Sequence, residues 1–456
     1  MSISFLAIYV FYLQFFCGKG FLPLRSRMGK KYSIQDKEVM RPILYTLPES
    51  QEKIIQKLDG FFGVIGPDKT HFQITNLIDM FMSDGNIQGV FFQQGKLTYV
   101  KKFVRTEKVE FEEKYGRLPD HFFYKPMFML LHKLRLFPNV EGVANTAIVH
   151  VHNKTYALYE RDAPYLLDID FNTTQIHTVK KMKMRGTPYF SAHSKYNEAI
   201  ESLDYDIMTK SINYHQFSEN FEWIRRKQIK TKHMPFVHDF LILKDKLIFV
   251  DAPFSFNVRN IFTSVLPVLL NKREKTILQI VDKNTGAVES YISEKSFFIF
   301  HYADCKEDDR YIFIYASMYD HLDFSEFNIS GKYRILRLDK VTKQVSFEKN
   351  DALEALTLEF PIRFEDKIVF SKNNGFVICR ELDVLKQFSF EDRFVCGEPV
   401  VKYIENKPYL IAFMFHNTIK NQSYLMMIDL TSYEIMEIPF SESLNIGFHS
   451  TFIDRQ

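Results

Sequence analysis

The sequence predicts an all-β fold of the β-propeller type, and three observations carry that prediction. Short runs in which apolar and polar residues alternate, separated by turn residues, fill the chain from about Gly60 to its C-terminus. A degenerate motif of strand, Asp-containing turn and strand recurs. It is seen at Leu167-Asp168-Ile169-Asp170 with Thr173-Thr174, and at Ile280-Val281-Asp282 with Asn284-Thr285-Gly286. It returns at Leu336-Arg337-Leu338-Asp339 with Thr342, and at Met427-Ile428-Asp429 with Thr431. No linker or composition break inside 60–456 argues for a second domain. Recurring four-stranded units suggest a propeller over a sandwich or a barrel, but the repeat is too degenerate to give the number of blades.

At 456 residues the chain can bury a large core. Its 46% hydrophobic and 25% charged content is that of a globular protein, not of a disordered or membrane-spanning one. A net charge of +3 gives no argument for a nucleic-acid partner. Cys17, Cys305, Cys379 and Cys396 show no paired spacing and no CxxC, so neither a zinc site nor a disulfide framework is indicated. Aromatic content is high at 16%, with 46 Phe against one Trp. Biased coding composition explains that as well as a dedicated aromatic tunnel does.

In chain order, residues 1–27 form an apolar N-terminal segment and 28–59 an extension before the propeller domain of 60–456. The nearly uncharged run Ser2–Cys17 is short for a spanning helix and lacks the cationic start of a signal peptide. It reads as a signal, an anchor, or an untranslated stretch upstream of Met28. A start at Met28 gives Met28-Gly29-Lys30-Lys31-Tyr32-Ser33, which fits the loose myristoylation pattern. The expected location is cytoplasmic or peripheral to a membrane, and secretory or anchored if 2–17 is a true signal. Val90–Val100 and Ala147–Leu158 read as hairpins around turns containing Gln-Gly and Asn-Lys. Met127–Phe137 has helical apolar spacing, and Ile261–Leu270 is a second apolar run followed by Lys272-Arg273-Glu274-Lys275. An ordinary helix packed on the blades explains either; so does a membrane-facing patch, placed at 122–137 and 261–275.

Four histidines stand in apolar settings far apart in sequence. They lie in Ser191-Ala192-His193-Ser194-Lys195, Pro235-Phe236-Val237-His238-Asp239-Phe240, Phe298-Ile299-Phe300-His301-Tyr302 and Gly447-Phe448-His449-Ser450-Thr451-Phe452. Any one alone reads as a hydrogen-bonded core histidine, and imidazole suits iron, copper, zinc and nickel alike. Together, in this order and with these neighbours, they resemble the iron-binding set of the carotenoid cleavage oxygenase family. That family includes carotenoid and apocarotenoid dioxygenases, stilbene-cleaving dioxygenases and the retinoid isomerase. The resemblance runs from about Gly60 to the C-terminus.

The resemblance implies seven blades, with a helical and loop cap over the metal-bearing axial face. It implies Fe(2+) held by His193, His238, His301 and His449, each from a different blade. It places three glutamates behind the histidines: Glu160 on His238, Glu359 on His301 and Glu398 on His449, with His193 lacking a carboxylate partner. Such partners fix the tautomer of a ligating imidazole and raise its basicity. Thr146 matches a threonine that overhangs a vacant metal position. Ser194 stands where the family commonly has proline, and Tyr302-Ala303-Asp304 depart from a His-Ile-Asn-like continuation; neither change removes a ligand. Stilbene-cleaving members tend to carry lysine just before the first of these glutamates, where this chain has Tyr159.

The implied activity is cleavage of a conjugated C=C bond of a carotenoid or apocarotenoid with O2, giving two carbonyl products. The implied partners are O2, an apolar polyene and a membrane surface. Stilbene cleavage and retinoid isomerisation are the alternatives within the family. Outside it stand a propeller that only binds lipid or protein, which has no physical need of four inward histidines, and a zinc hydrolase, which lacks a general base beside an open position.

Overall fold

The computed structural model describes residues 38–68, 77–116, 125–134, 136–139, 141–184, 187, 189–256, 268–324 and 330–456. The apolar segment 1–27 lies outside the described residues. Among the described residues seven antiparallel sheets, six of four strands and one of five, are arranged as a seven-bladed propeller, and 254–256 and 268–270 form a separate two-stranded sheet. From the innermost strand outward, blade one is 147–151, 154–158, 165–170 and 175–181. Blade two is 195–196, 200–206, 211–217 and 223–230, and blade three is 241–243, 246–251, 277–282 and 288–292. Blade four is 298–307, 311–319, 332–339 and 345–348, and blade five is 359–364, 367–372, 375–380 and 383–389. Blade six is 393–404, 407–416, 423–429 and 435–440. Blade seven closes the ring: the C-terminal strand 450–454 pairs with 60–67, followed by 85–93, 96–103 and 39–43. The outermost strand, 39–43, thus comes from the extension that precedes the propeller domain expected from the sequence.

The local chemistry explains these hairpins. Gln94 and Gly95 both have positive φ, the backbone that a two-residue turn between right-twisted strands requires, and Gln93 pairs with Lys96 across it. In blade one the turn residues are His152 and Asn153, one place earlier than the Asn-Lys turn expected, and Lys154 already pairs with Val151. The recurring aspartates all stand at the turn from third to fourth strand. Asp170, Asp282, Asp339 and Asp429 each use Oδ1 to accept two backbone N–H groups two and three residues on.

The core is a set of wedges between blades. The seven largest clusters of buried apolar side chains each lie between two neighbouring blades. The period-two alternation of a strand divides side chains between the two interfaces. Phe61 and Ile65 pack toward blade one, whereas Phe62 and Val64 pack toward blade six. Twisted sheets diverge outward, and broad rings such as Tyr99, Phe92 and Phe413 fill the gaps.

The 127–137 run is a helix at Lys125–Lys133, with exposed Leu130, and Leu134 and Leu136 exposed just beyond it. The 261–275 stretch falls outside the described residues at 261–267. Its end, Val268–Leu270, is a strand paired with Phe254–Phe256, and Val268 and Leu270 are buried. At 268–270 the run is thus one strand of a two-stranded ribbon. The cap is a minor feature: a short helix, Leu77–Met82, tied down by Asn145, whose Nδ2 donates to the carbonyls of Met80, Phe81 and Ser83.

Neighbouring blades are also tied at the rim. Glu307 of blade four meets Lys244 and Lys246 of the blade-three hairpin at 2.9 and 2.8 Å, and Lys340 at 3.1 Å. Hydrogen bonds from Lys246 and then Lys244 pull its carboxyl down to about 2 from a usual 4.5. The folded value lies below the unfolded one, so the stabilisation is complete above about pH 4.5 and is lost as pH falls toward about 2. Glu307→Gln is expected to cost about 1 kcal/mol at pH 7, after allowance for solvent screening. The difference in denaturation midpoint from wild type should shrink steadily between pH 5 and 3, and a constant difference would show the ion cluster to be inert.

Candidate metal centre

Each blade contributes one residue of interest, from just before, at the start of or within its innermost strand. In blade order these are Thr146, His193, His238, His301, Glu359, Glu398 and His449. Innermost strands of successive blades touch around much of the ring, so residues hundreds of positions apart converge. Local backbone irregularity turns several side chains inward. The pairing register shifts around His301, between Glu359 and Ile362, and between Cys396 and Val400 on either side of Glu398. An extra residue in one strand re-aims what it carries. Phe360 and Gly397 at these bulges have positive φ.

The four histidines form one cluster, their ligand atoms all within 4.8 Å of one another. Nε2 of His193 and of His238 are 3.0 Å apart, Nε2 of His238 and His301 3.2 Å, and Nε2 of His301 and His449 3.2 Å. Imidazole nitrogens at a metal bond length of about 2.1 Å stand about 3.0 Å apart when cis and about 4.2 Å when trans. The observed spacing has those dimensions.

Behind the rings, Glu160 Oε1 lies 2.6 Å from His238 Nδ1, and Glu359 Oε2 2.6 Å from His301 Nδ1. Glu398 Oε2 lies 3.1 Å from His449 Nδ1. No carboxylate is paired with His193 among the described residues. Where Nδ1–H donates to a carboxylate, Nε2 is left with its lone pair. Three such lone pairs thus face one another, and a cation is what makes that arrangement favourable.

Electrostatics agree with neutral imidazoles. Burial first, and then the neighbouring imidazoles, hold His193 and His301 well below the usual histidine range. Burial opposes ionisation of Glu160, but the His238 contact outweighs it and the carboxyl sits below its ordinary value. Burial dominates at Glu359 and pushes it up to about 7.

Thr146 adjoins the cluster. Its carbonyl accepts from His449 N–H at 3.3 Å, and its hydroxyl donates to Asn145 Oδ1 at 3.1 Å. A cavity of about 250 Å³ opens beside His238, His301 and His449, and Thr146 lines it. Its other walls are mainly apolar, with Met80, Phe81, Phe300, Phe360, Ile446 and Phe448.

Sequence reasoning missed two neighbours. Tyr319 donates its hydroxyl to Glu359 Oε1, opposite the oxygen facing His301. Phe360 lays its ring 5.3 Å from His301 and 5.4 Å from His449, centroid to centroid. Nothing in the strand pattern singles out Tyr319, whereas Phe360 directly follows Glu359.

A propeller in which four imidazoles converge in this way offers a set of ligands that could hold a metal ion. Residues 53–454 match the family described as retinal pigment epithelial membrane protein. The chain belongs to that family, the carotenoid cleavage oxygenases. It is similar to carotenoid 9,10(9',10')-cleavage dioxygenase 1 of Arabidopsis thaliana, with 26% identity over 69% of this chain and 60% of that one. A second relative is resveratrol cleavage oxygenase 1 of Aspergillus fumigatus, with 24% identity over 44% of this chain and 40% of that one. The chain spans about 60% of the length of the Arabidopsis thaliana, Phaseolus vulgaris and Pisum sativum relatives it matches. In fold it resembles cobalt-substituted Synechocystis apocarotenoid oxygenase, with TM-score 0.71 and 17% identity over 95% of this chain and 99% of that one. It likewise resembles Pseudomonas brassicacearum lignostilbene dioxygenase, with TM-score 0.72 and 15% identity over 92% and 96% of the two chains.

Proposed function

We propose that this protein uses O2 to cleave a conjugated C=C bond of a carotenoid or apocarotenoid, giving two carbonyl products. The observation that carries this reading is the set of four Nε2 atoms at metal-ligand spacing, three of them backed by carboxylates, in a chain of this family. His193, His238, His301 and His449 would hold Fe(II), which supplies the centre at which O2 is activated for oxidation of the polyene. Glu160, Glu359 and Glu398 fix the imidazoles in the tautomer that presents Nε2. Thr146 narrows the cavity beside His449, and the Phe81, Phe300 and Phe448 walls exclude water from an apolar substrate.

Tyr159 bears on substrate class. It is buried, its hydroxyl points at Met82 Sδ 3.4 Å away, and burial and then Glu160 raise its pKa well above the ordinary tyrosine value. A phenol so placed does not take the proton of a stilbene hydroxyl, and this favours the polyene. Among the described residues no helix is long and apolar enough to cross a membrane. Exposed Leu130, Leu134 and Leu136 suit a membrane surface from which an oily substrate is collected.

The test is metal content of protein expressed from Met28 and reconstituted anaerobically with Fe(II), followed by O2 uptake with an apocarotenal and with a hydroxystilbene. Near-stoichiometric iron and an aldehyde product from the apocarotenal alone are expected. Cleavage of the stilbene alone would move the substrate to the other branch. No bound metal would sink the enzyme reading and leave a propeller that binds something else.

A further inference from the structure

Beside the four histidines lies a buried carboxylate with no part in the reading above. Asp239, 5% exposed, directly follows His238. Its Oδ1 accepts from Lys195 Nζ at 2.7 Å and from the Phe240 N–H at 2.7 Å, and its Oδ2 accepts from the Tyr302 N–H at 3.2 Å. Lys195 stands two residues after His193, and Tyr302 one residue after His301. One side chain therefore touches the segments that carry three of the four histidines, from blades two, three and four. Lys195 is held in turn, its Nζ 5.2 Å from the centre of the Phe240 ring. His449, from blade seven, is secured separately: Ser450 Oγ donates to the Glu398 carbonyl at 2.7 Å.

We infer that Asp239 and Lys195 are positioning residues for the metal centre, a buried ionic clamp that sets the spacing of His193, His238 and His301. The strands behind His193 and His238 are too short to fix that spacing themselves, whereas His301 lies within the ten-residue strand Phe298–Glu307. Blade two begins with two residues, Lys195 and Tyr196, and blade three with three, Leu241–Leu243. A displacement of about half an ångström at a ligand is enough to spoil a metal geometry, so something outside the ladders must hold these strand starts. Asp239 does so by charge and by direct backbone acceptance. It touches neither metal nor substrate; it acts through the imidazoles. This role rests on the metal-site reading above.

The test uses Co(II)-loaded full-length protein and reads two quantities besides activity: the Co(II) dissociation constant by chelator competition, and the visible ligand-field spectrum, which follows coordination geometry. Asp239→Asn and Lys195→Met are expected to weaken metal binding about ten- to a hundredfold and to shift the spectrum. Lys195→Arg, which keeps the charge, should restore both. If a single variant fails to fold, the double variant Lys195→Met/Asp239→Asn, which leaves no unpaired charge, is read in its place. Ile428→Ala, a fully buried change between blades five and six, supplies a control that lowers stability away from the site. Affinity within twofold of wild type and an unchanged spectrum in the clamp variants would overturn the inference. Equal loss of affinity in Ile428→Ala would overturn it too, by reducing the clamp to general stability. If the unsubstituted protein binds no metal, the reading of the site falls and the clamp with it; normal wild-type binding with unaffected variants removes the clamp alone.

Discussion

Replacing His238 or His301 by alanine is expected to empty the centre of metal. Affinity should fall by more than about a hundredfold, since losing a ligand costs more than losing a group behind one. Each substitution does two things at once. It removes one of the Nε2 atoms that stand 3.0–3.2 Å from their neighbours, and it deprives Glu160 or Glu359 of its Nδ1–H donor. A buried carboxylate without its donor takes up a proton or destabilises the fold, so the metal-free variants should also lose about 1–3 kcal/mol. Iron analysis after anaerobic reconstitution, with O2 uptake on an apocarotenal, measures the first effect, and a denaturant midpoint the second. The exposed His177, replaced in the same way, should change neither. Stoichiometric iron retained in both His238→Ala and His301→Ala would refute the assignment of these imidazoles as ligands.

The second large effect is expected at Gly397. Its φ of +78° belongs to the left-handed region, and a Cβ there would stand 2.8 Å from the Phe448 carbonyl oxygen and 2.9 Å from Val64 Cγ1. The neighbours on one side are backbone, which cannot swing aside as the end of a flexible side chain can. Gly397→Ala should therefore cost about 2–4 kcal/mol. Gly397 precedes Glu398 and Phe448 precedes His449, so relief of the clash moves an imidazole and its carboxylate together. Gly286 supplies the comparison. It has a similar φ of +82°, but the nearest atom to its Cβ would be Lys227 Nζ at 3.1 Å, which can move. Gly286→Ala should lose only about 1 kcal/mol and leave metal binding intact. Equal losses at the two glycines would show that backbone conformation, and not the clash, sets the cost.

Different physical signals account for what the sequence revealed and what it hid. The aspartate turns were legible because each is a local device: the carboxylate caps backbone N–H groups only two and three residues on. The hairpins at Gln94-Gly95 and Asn153 were legible for the same reason. The blade count was not, because the innermost strands of blades two and three are too short for a period-two pattern to register. The histidines and glutamates were found through the runs around them, by likeness to a family; no spacing rule joins His193 to His449. Asp239 stood in plain view beside His238, yet its function hung on partners 44 and 63 residues away. Nor does any residue type announce the bulges at His301 and Glu359, since Phe360 adopts positive φ without being glycine or asparagine. At 268–270 apolar length alone did not separate a helix from the strand found there.

Closure of the ring by strand 450–454 against 60–64 has a consequence for how such a protein comes into being. A ribosome delivers the chain from its N-terminus, so the strands of blade seven that are made first must wait, edge exposed, until all six other blades have emerged. His449 directly precedes the strand that ends the wait. Until then at most three imidazoles exist to receive a cation, and the pocket has no floor. The four-histidine set is therefore complete only in the finished polypeptide, once the pairing step that seals the circle has brought His449 into place.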